Sequence, residues 1–132
     1  MGEAENGRSG EGSDRALTGS VIRCCIAVNK ELGPGFLESV YHRAMEVELA
    51  EQGIPFETEK EIEVHYQGRF VGDHRLDFLV DRRLVVELKT VEKLGKEHYD
   101  QVRSYLSAAG QDIGLLVNFA KRPVDVRRVE LK

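Results

Sequence analysis

The 132-residue sequence predicts an α/β domain of the α+β kind, with elements in the order α-α-β-β-β-α-β-β and a mixed central sheet flanked by helices. Three observations predict it. Apolar residues recur at helical spacing on both sides of Gly33-Pro34-Gly35. Residues 56–66 then alternate between Phe56, Thr58, Lys60, Ile62, Val64, Tyr66 and an opposite row of Glu57, Glu59, Glu61, Glu63 and His65, the period-two mark of a strand with one wet face. Finally, a helical pattern over 96–109 is followed by a continuous apolar run over 113–119, which suits a strand covered on both faces.

Taken in order, residues 1–15 are rich in Gly, Ser and Glu and lack periodic apolar residues, so they read as a flexible tail that leaves 16–132 as a single domain. The first helix is expected to open at Thr18-Gly19-Ser20, where a hydroxyl can cap exposed amides, and to carry Val21, Cys25, Val28 and Leu32 on its core face. Gly33-Pro34-Gly35 ends it. A second helix over 36–52 places Leu37, Val40, Tyr41, Ala44 and Val47 on one stripe, with Glu38 at its border and Gly53 as a left-handed stop. Tyr41 is expected to pack beneath Glu38.

After the alternating strand, Gln67-Gly68 turns the chain into a second strand over 69–80, and Asp81-Arg82-Arg83 turns it into a third over 84–90. The helix over 96–109 presents Tyr99, Val102, Leu106 and Ala109 to a core and stops at Gly110. Third strand, helix and apolar strand form a right-handed crossover, so the apolar strand should lie parallel to the third. Residues 124–131 alternate weakly and suit an edge strand.

With 41% hydrophobic and 32% charged residues, the chain fits one soluble domain with one core and leaves no room for a second catalytic domain. No apolar run approaches the roughly 20 residues that span a bilayer, and the N-terminus lacks the basic-then-apolar order of a secretory signal, so a cytoplasmic protein with no membrane partner is expected. A net charge of -4 argues against coating nucleic acid by bulk attraction, but the charge is uneven. Residues 1–68 carry 6 Lys+Arg against 13 Asp+Glu, and residues 69–132 carry 13 against 10, which is compatible with local phosphate contacts in the second half. Cys24 and Cys25, adjacent in a helical stretch, suit a core and not a disulfide or zinc site.

Charged residues inside apolar strands are the informative ones. Residues two apart share a face, so Glu87 and Lys89 of VVELKT point one way while Val86 and Leu88 point the other. Asp77 lies between Leu76 and Phe78 in the preceding strand. If 81–83 is the turn, Asp77 and Glu87 sit at matching heights on paired strands and their carboxylates converge. Converging carboxylates need a proton or a cation, and hard oxygen donors suit Mg2+ or Mn2+. Lys89 beside them can hold an attacking water or offset charge developing on a phosphate, which is the logic of phosphodiester hydrolysis.

Asp77, Glu87-Leu88-Lys89 and the strand-strand-helix order resemble the PD-(D/E)XK nuclease superfamily, with Leu76 where the signature has proline. Gly35-Phe36-Leu37-Glu38-Ser39-Val40-Tyr41 is similar to the G-x-x-E-x-x-Y hallmark of the GxxExxY proteins placed in that superfamily, and Gln101-Val102-Arg103-Ser104-Tyr105 to the Q-x-x-x-Y motif of its RecB-like and lambda-exonuclease-like branches. The likeness runs from about Thr18 to Val129. It implies a restriction-endonuclease-like fold and a Mg2+-dependent (or Mn2+-dependent) nuclease acting on nucleic acid, with DNA the expected form. It further implies Asp77 and Glu87 as metal ligands joined by the Leu88 carbonyl and by Glu38, Lys89 as the catalytic lysine, and Gln101 and Tyr105 contacting substrate or bracing Lys89. Independently, Gln101 and Tyr105 are four apart on one helical face.

Two rivals stand beside this reading: a nuclease-fold module that turns over slowly or not at all and binds nucleic acid or a protein, and a structural adaptor whose Asp77, Glu87 and Lys89 neutralise one another. Fold alone does not choose among them. His74 and His98 share no ligand spacing with a second His or Cys and suit structural or surface positions. Gly33-Pro34-Gly35 is too short to be a phosphate-cradling loop.

Overall fold

A computed structural model describes the backbone of residues 2–131 and the side chains of residues 14–131. Helix α1 (Gly2–Leu32) runs through the predicted cap at Thr18–Ser20 without interruption, so that expected start is corrected. Ser20 instead accepts a hydrogen bond from Arg23, and Thr18 is buried within the helix. The proposed tail falls mostly on side chains outside the described residues. Within them, Asp14 is tied to Arg83 at 2.7 Å.

Helix α2 (Glu38–Glu51) buries Tyr41, Met45 and Leu49 against Val21, Cys24, Cys25 and Val28 of α1. The predicted stripe is therefore rotated: Leu37 is 76% exposed and Val47 63%. The recurrence that packs is every fourth residue from Tyr41, and the rotation sends Glu38, His42 and Glu46 along a flank that lines a cleft.

Strands β1 (Phe56–Tyr66), β2 (Arg69–Val80) and β3 (Leu84–Lys89) form the predicted meander. Helix α3 (Lys96–Ala109) leads to β4 (Ile113–Asn118), and β5 (Asp125–Glu130) closes the chain. The sheet order is β1-β2-β3-β4-β5, with β3 and β4 parallel and the other pairs antiparallel. One core lies between this sheet and α1/α2, including Phe78, Val80, Val86, Leu88, Val117 and Phe119. The other lies under α3 and contains Leu76, Leu79, Val85, Leu116, Val102 and Leu106.

Those two cores expose an irregularity. Leu76 packs on the α3 side and Phe78 on the α1/α2 side, although residues two apart in a strand share a face. In β1, Thr58 bonds to α2 while Ile62 packs under α3. Both strands change faces at one rung, where Glu59 would oppose Asp77: Glu59 has φ +53°, and the register passes from Thr58↔Phe78 to Lys60↔Leu76. Beyond that rung β2 also loses its other neighbour, since it pairs with β3 only over Phe78–Val80.

Candidate active site

Asp77 sits at this change of face, and its backbone groups are satisfied by side chains where the ladders fail. Its N–H donates to Glu87 Oε2 at 3.0 Å, and its own Oδ2 accepts from Leu88 N–H at 2.8 Å. Each carboxylate thus caps an amide of the opposite strand and holds β2 and β3 at a fixed separation. The Asp77 carbonyl, deprived of a rung at Glu59, lies 3.3 Å from His42 Nε2 and 3.3 Å from the Thr58 hydroxyl. His42 is in turn fixed by Glu46 at 3.3 Å and by stacking on Phe78 at 4.4 Å.

Glu87 is only 4% exposed. Burial pushes its carboxyl up to about 8; the charge of Asp77 and a side-chain hydrogen bond with it add to the rise, against the Asp77 amide and Lys89. Two adjoining carboxyl groups in a low-dielectric gap hold a proton between them unless a cation takes its place. Lys89 is not that cation: its Nζ donates to Gln101 Oε1 at 2.7 Å, and among the described residues neither Asp77 nor Glu87 forms an ion pair. Mutual neutralisation of Asp77, Glu87 and Lys89 is thereby set aside.

Glu38 is the first residue of α2 and lines, with Asp77, an open cleft of about 650 Å³. Burial and then the charge of Asp77 hold its carboxyl above the usual range, opposed by Lys89 and His42. Tyr41, one turn on, is fully buried and stacked on Phe119 at 4.7 Å. Its hydroxyl donates to the Gly33 carbonyl and accepts from Phe36 N–H, which pins the turn at 33–35 and sets the start of α2. Gly35, with φ +116°, supplies a conformation that side chains rarely adopt. Spacing of Gly35, Glu38 and Tyr41 therefore has a mechanical reason: the tyrosine anchors the turn that presents the glutamate.

On the α3 side, Tyr105 stacks on His74 at 3.6 Å. Burial, then Glu87 and Asp77, push its hydroxyl up to about 12, and burial holds His74 below its ordinary value with Lys89 adding and Asp77 opposing. The structure thus brings Asp77 to Glu87 and Lys89 to Gln101 as two neighbouring pairs on β2, β3 and α3, stacks Tyr105 on His74 near them, and has Glu38 line the cleft with Asp77. Sequence reasoning missed His42 and Asn118, and read His74 as a structural or surface residue without its stacking on Tyr105. Asn118 is fully buried beside Lys89 in the parallel register; it accepts from Val91 and Ala120 N–H and donates to the Val91 carbonyl, fixing the chain that leaves β3. A buried asparagine closing an otherwise apolar strand was the available signal.

A profile of the PD-(D/E)XK nuclease superfamily matches residues 15–129. The chain belongs to the PD-(D/E)XK nuclease superfamily. Nucleases of this superfamily generally use divalent metal ions. Solved structures that resemble the chain include the following two. The crystal structure of SSO0001 shares 22% identity at a TM-score of 0.57, covering 70% of this chain and 48% of that one. An alkaline exonuclease, LHK-Exo from Laribacter hongkongensis, shares 16% at 0.52, covering 71% and 55%. This superfamily member spans about half the length of each, and the likeness establishes the restriction-endonuclease-like fold. No curated protein sequence matches it.

The residues present fit a superfamily metal site in part by number and wholly by chemistry. Among the described residues no three His, Cys, Asp or Glu side chains form a ready-made metal cage. Mg2+, however, usually takes one or two carboxylates and keeps several waters, and the Asp77–Glu87 pair supplies two. A strand residue's N–H and C=O open on the same edge, so the Leu88 carbonyl faces the gap that its N–H bridges to Asp77.

Proposed function

We propose that this superfamily member is a Mg2+-dependent (or Mn2+-dependent) nuclease that hydrolyses DNA phosphodiester bonds at the gap between β2 and β3. The observation that carries this reading is the buried Asp77–Glu87 pair with no cation of the described residues in an ion pair with it, beside a lysine held by a neutral amide. Asp77, Glu87 and the Leu88 carbonyl would hold the metal, and Glu38 would reach it from the cleft, directly or through water. A divalent ion bound there supplies Lewis acidity at the phosphate and lowers the pKa of water.

The chain's own residues supply the rest. Gln101 accepts one hydrogen bond from Lys89 and orients the ammonium, whose remaining N–H groups can donate to a phosphoryl oxygen as its charge develops. Asn118 keeps the end of β3, and so Lys89, in register with β4. Tyr105, kept neutral well above physiological pH, offers a phenolic donor at the edge of the site.

Cleavage of single- and double-stranded DNA by wild type, Lys89→Ala and Asp77→Ala across a Mg2+ and Mn2+ series tests the reading. Lys89→Ala should lose on the order of a hundredfold or more in rate while still binding metal. Equal rates in wild type and Lys89→Ala would sink the catalytic role. No cleavage by wild type with metal bound would instead favour a non-catalytic binding module.

A further inference from the structure

Beyond Asp77, residues 60–66 and 69–76 project from the sheet as a two-stranded ribbon: β2 there keeps β1 as its partner but has left β3. Its two faces differ in charge. Ile62 and Leu76 pack under α3 and His74 stacks on Tyr105, so the face toward α3 carries the pairs Lys60–Leu76, Ile62–His74, Val64–Gly72 and Tyr66–Arg69, with no carboxylate. The other face carries Glu61, Glu63 and Asp73, and Arg75 there is bridged to Glu59 at 3.6 Å. Lys60 on the α3-facing side is ion-paired with Glu57 at 3.0 Å, which leaves Arg69 at the hairpin end as the cation that can meet a polyanion, whereas the other face sets three carboxylates against one arginine.

The tip of that face is apolar and open. Tyr66 is 66% exposed and Val64 40%; Phe70 pairs with His65 past a register shift at Val64/His65 and belongs to the other face. Resting on the function proposed above, we infer that the α3-facing side of the β1–β2 ribbon binds a single-stranded stretch of the polynucleotide substrate, stacking a base on Tyr66 and pairing a phosphate with Arg69. A duplex keeps its bases stacked within itself, whereas an exposed tyrosine offers a platform only to an unpaired base. Asp77 to Arg69 is eight residues of strand, on the order of 26 Å, so the strand would leave the reaction site and run to the hairpin end.

Fluorescence anisotropy with labelled oligothymidylate, oligouridylate and a blunt DNA duplex tests this on full-length protein carrying Lys89→Ala to prevent cutting. Tyr66→Ala should weaken single-strand binding by roughly five- to a hundredfold, and Tyr66→Phe should restore it. Arg69→Ala should weaken it and reduce the slope of log affinity against log salt by about 0.7. Glu63→Gln, on the opposite face, should bind as the parent does. The two labelled single strands distinguish DNA from RNA as the source of the shared chemistry.

If the parent binds or wild type cuts nucleic acid, yet Tyr66→Ala and Arg69→Ala match the parent, the ribbon assignment is wrong and the nuclease reading stands. If neither binding nor cutting occurs although Mn2+ binds, the nuclease reading fails and takes this one with it. A drop in sedimentation mass on Tyr66→Ala would make a second copy of the chain the occupant, which also overturns the inference.

Discussion

The two halves of β2 belong to one strand and obey different physics. Over Phe78–Val80 it is paired on both edges and its side chains are almost wholly buried. Over 69–76 it is paired on one edge, and its neighbours across the hairpin are mostly wet. Asp77 lies where one regime gives way to the other. A carboxylate is tolerated there because the failed rungs release amides for it to accept and a cleft for it to face. The lesson is that the candidate site sits at a fault in the sheet, with rigid packing on one side to fix it and an open ribbon on the other.

Breaking the rigid half should cost the most. Phe78→Ala removes a fully buried ring from the core under α1 and α2 on which His42 stacks, and should destabilise by about 3–5 kcal/mol in urea unfolding. Phe70→Ala in the ribbon should stay within about 0.5 kcal/mol. Similar losses at the two positions would dissolve the distinction.

A smaller effect is expected at the far end of β3. Asn118→Ala leaves the Val91 and Ala120 amides and the Val91 carbonyl without their partner, for a loss of about 1–3 kcal/mol. If the residue positions Lys89, any cleavage activity should fall further than thermal stability does, a split read by comparing rates at a temperature where the variant remains folded.

The smallest effect sharpens the view of the gap as an unpaired acid pair. Glu87 titrates near 8 when folded and near 4.5 when free, so the folded state binds more protons between those values. Metal-free stability contributed by this group is fully present below about pH 4.5 and is lost as pH rises through about 8. Glu87→Gln should flatten that decline in urea midpoints measured from pH 5 to 9, and saturating Mn2+ should flatten it in wild type. An unchanged pH profile in Glu87→Gln would assign the decline elsewhere.

Much of this was legible in the residues themselves. The helix over 96–109 emerges at its predicted bounds because its apolar spacing, Gly110 and the flanking strands agree. Asp77, Glu87 and Lys89 stood out because charges inside apolar strands need a reason. The fault between them did not: EKEIEVHY alternates smoothly through Glu59, and a glutamate at positive φ is a choice made by tertiary packing. Nor did the rotated stripe of α2, since Val40, Ala44 and Val47 offer as regular a pattern as Tyr41, Met45 and Leu49. Only the docking of Tyr41 on Phe119, distant in sequence, selects between them. His42 was overlooked for the same reason, as its partner is a backbone carbonyl that a distant strand irregularity exposes.

The central claim is that the Asp77–Glu87 gap is a cation site, and Mn2+ calorimetry on wild type, Asp77→Asn and Glu87→Gln tests it most directly. Asparagine and glutamine keep the shape and neutralise one charge each, so the fold should survive. Wild type should bind one Mn2+ with release of a fraction of a proton that grows as pH falls below about 8, and each substitution should weaken binding at least tenfold. Wild-type affinity retained in both variants would contradict the account.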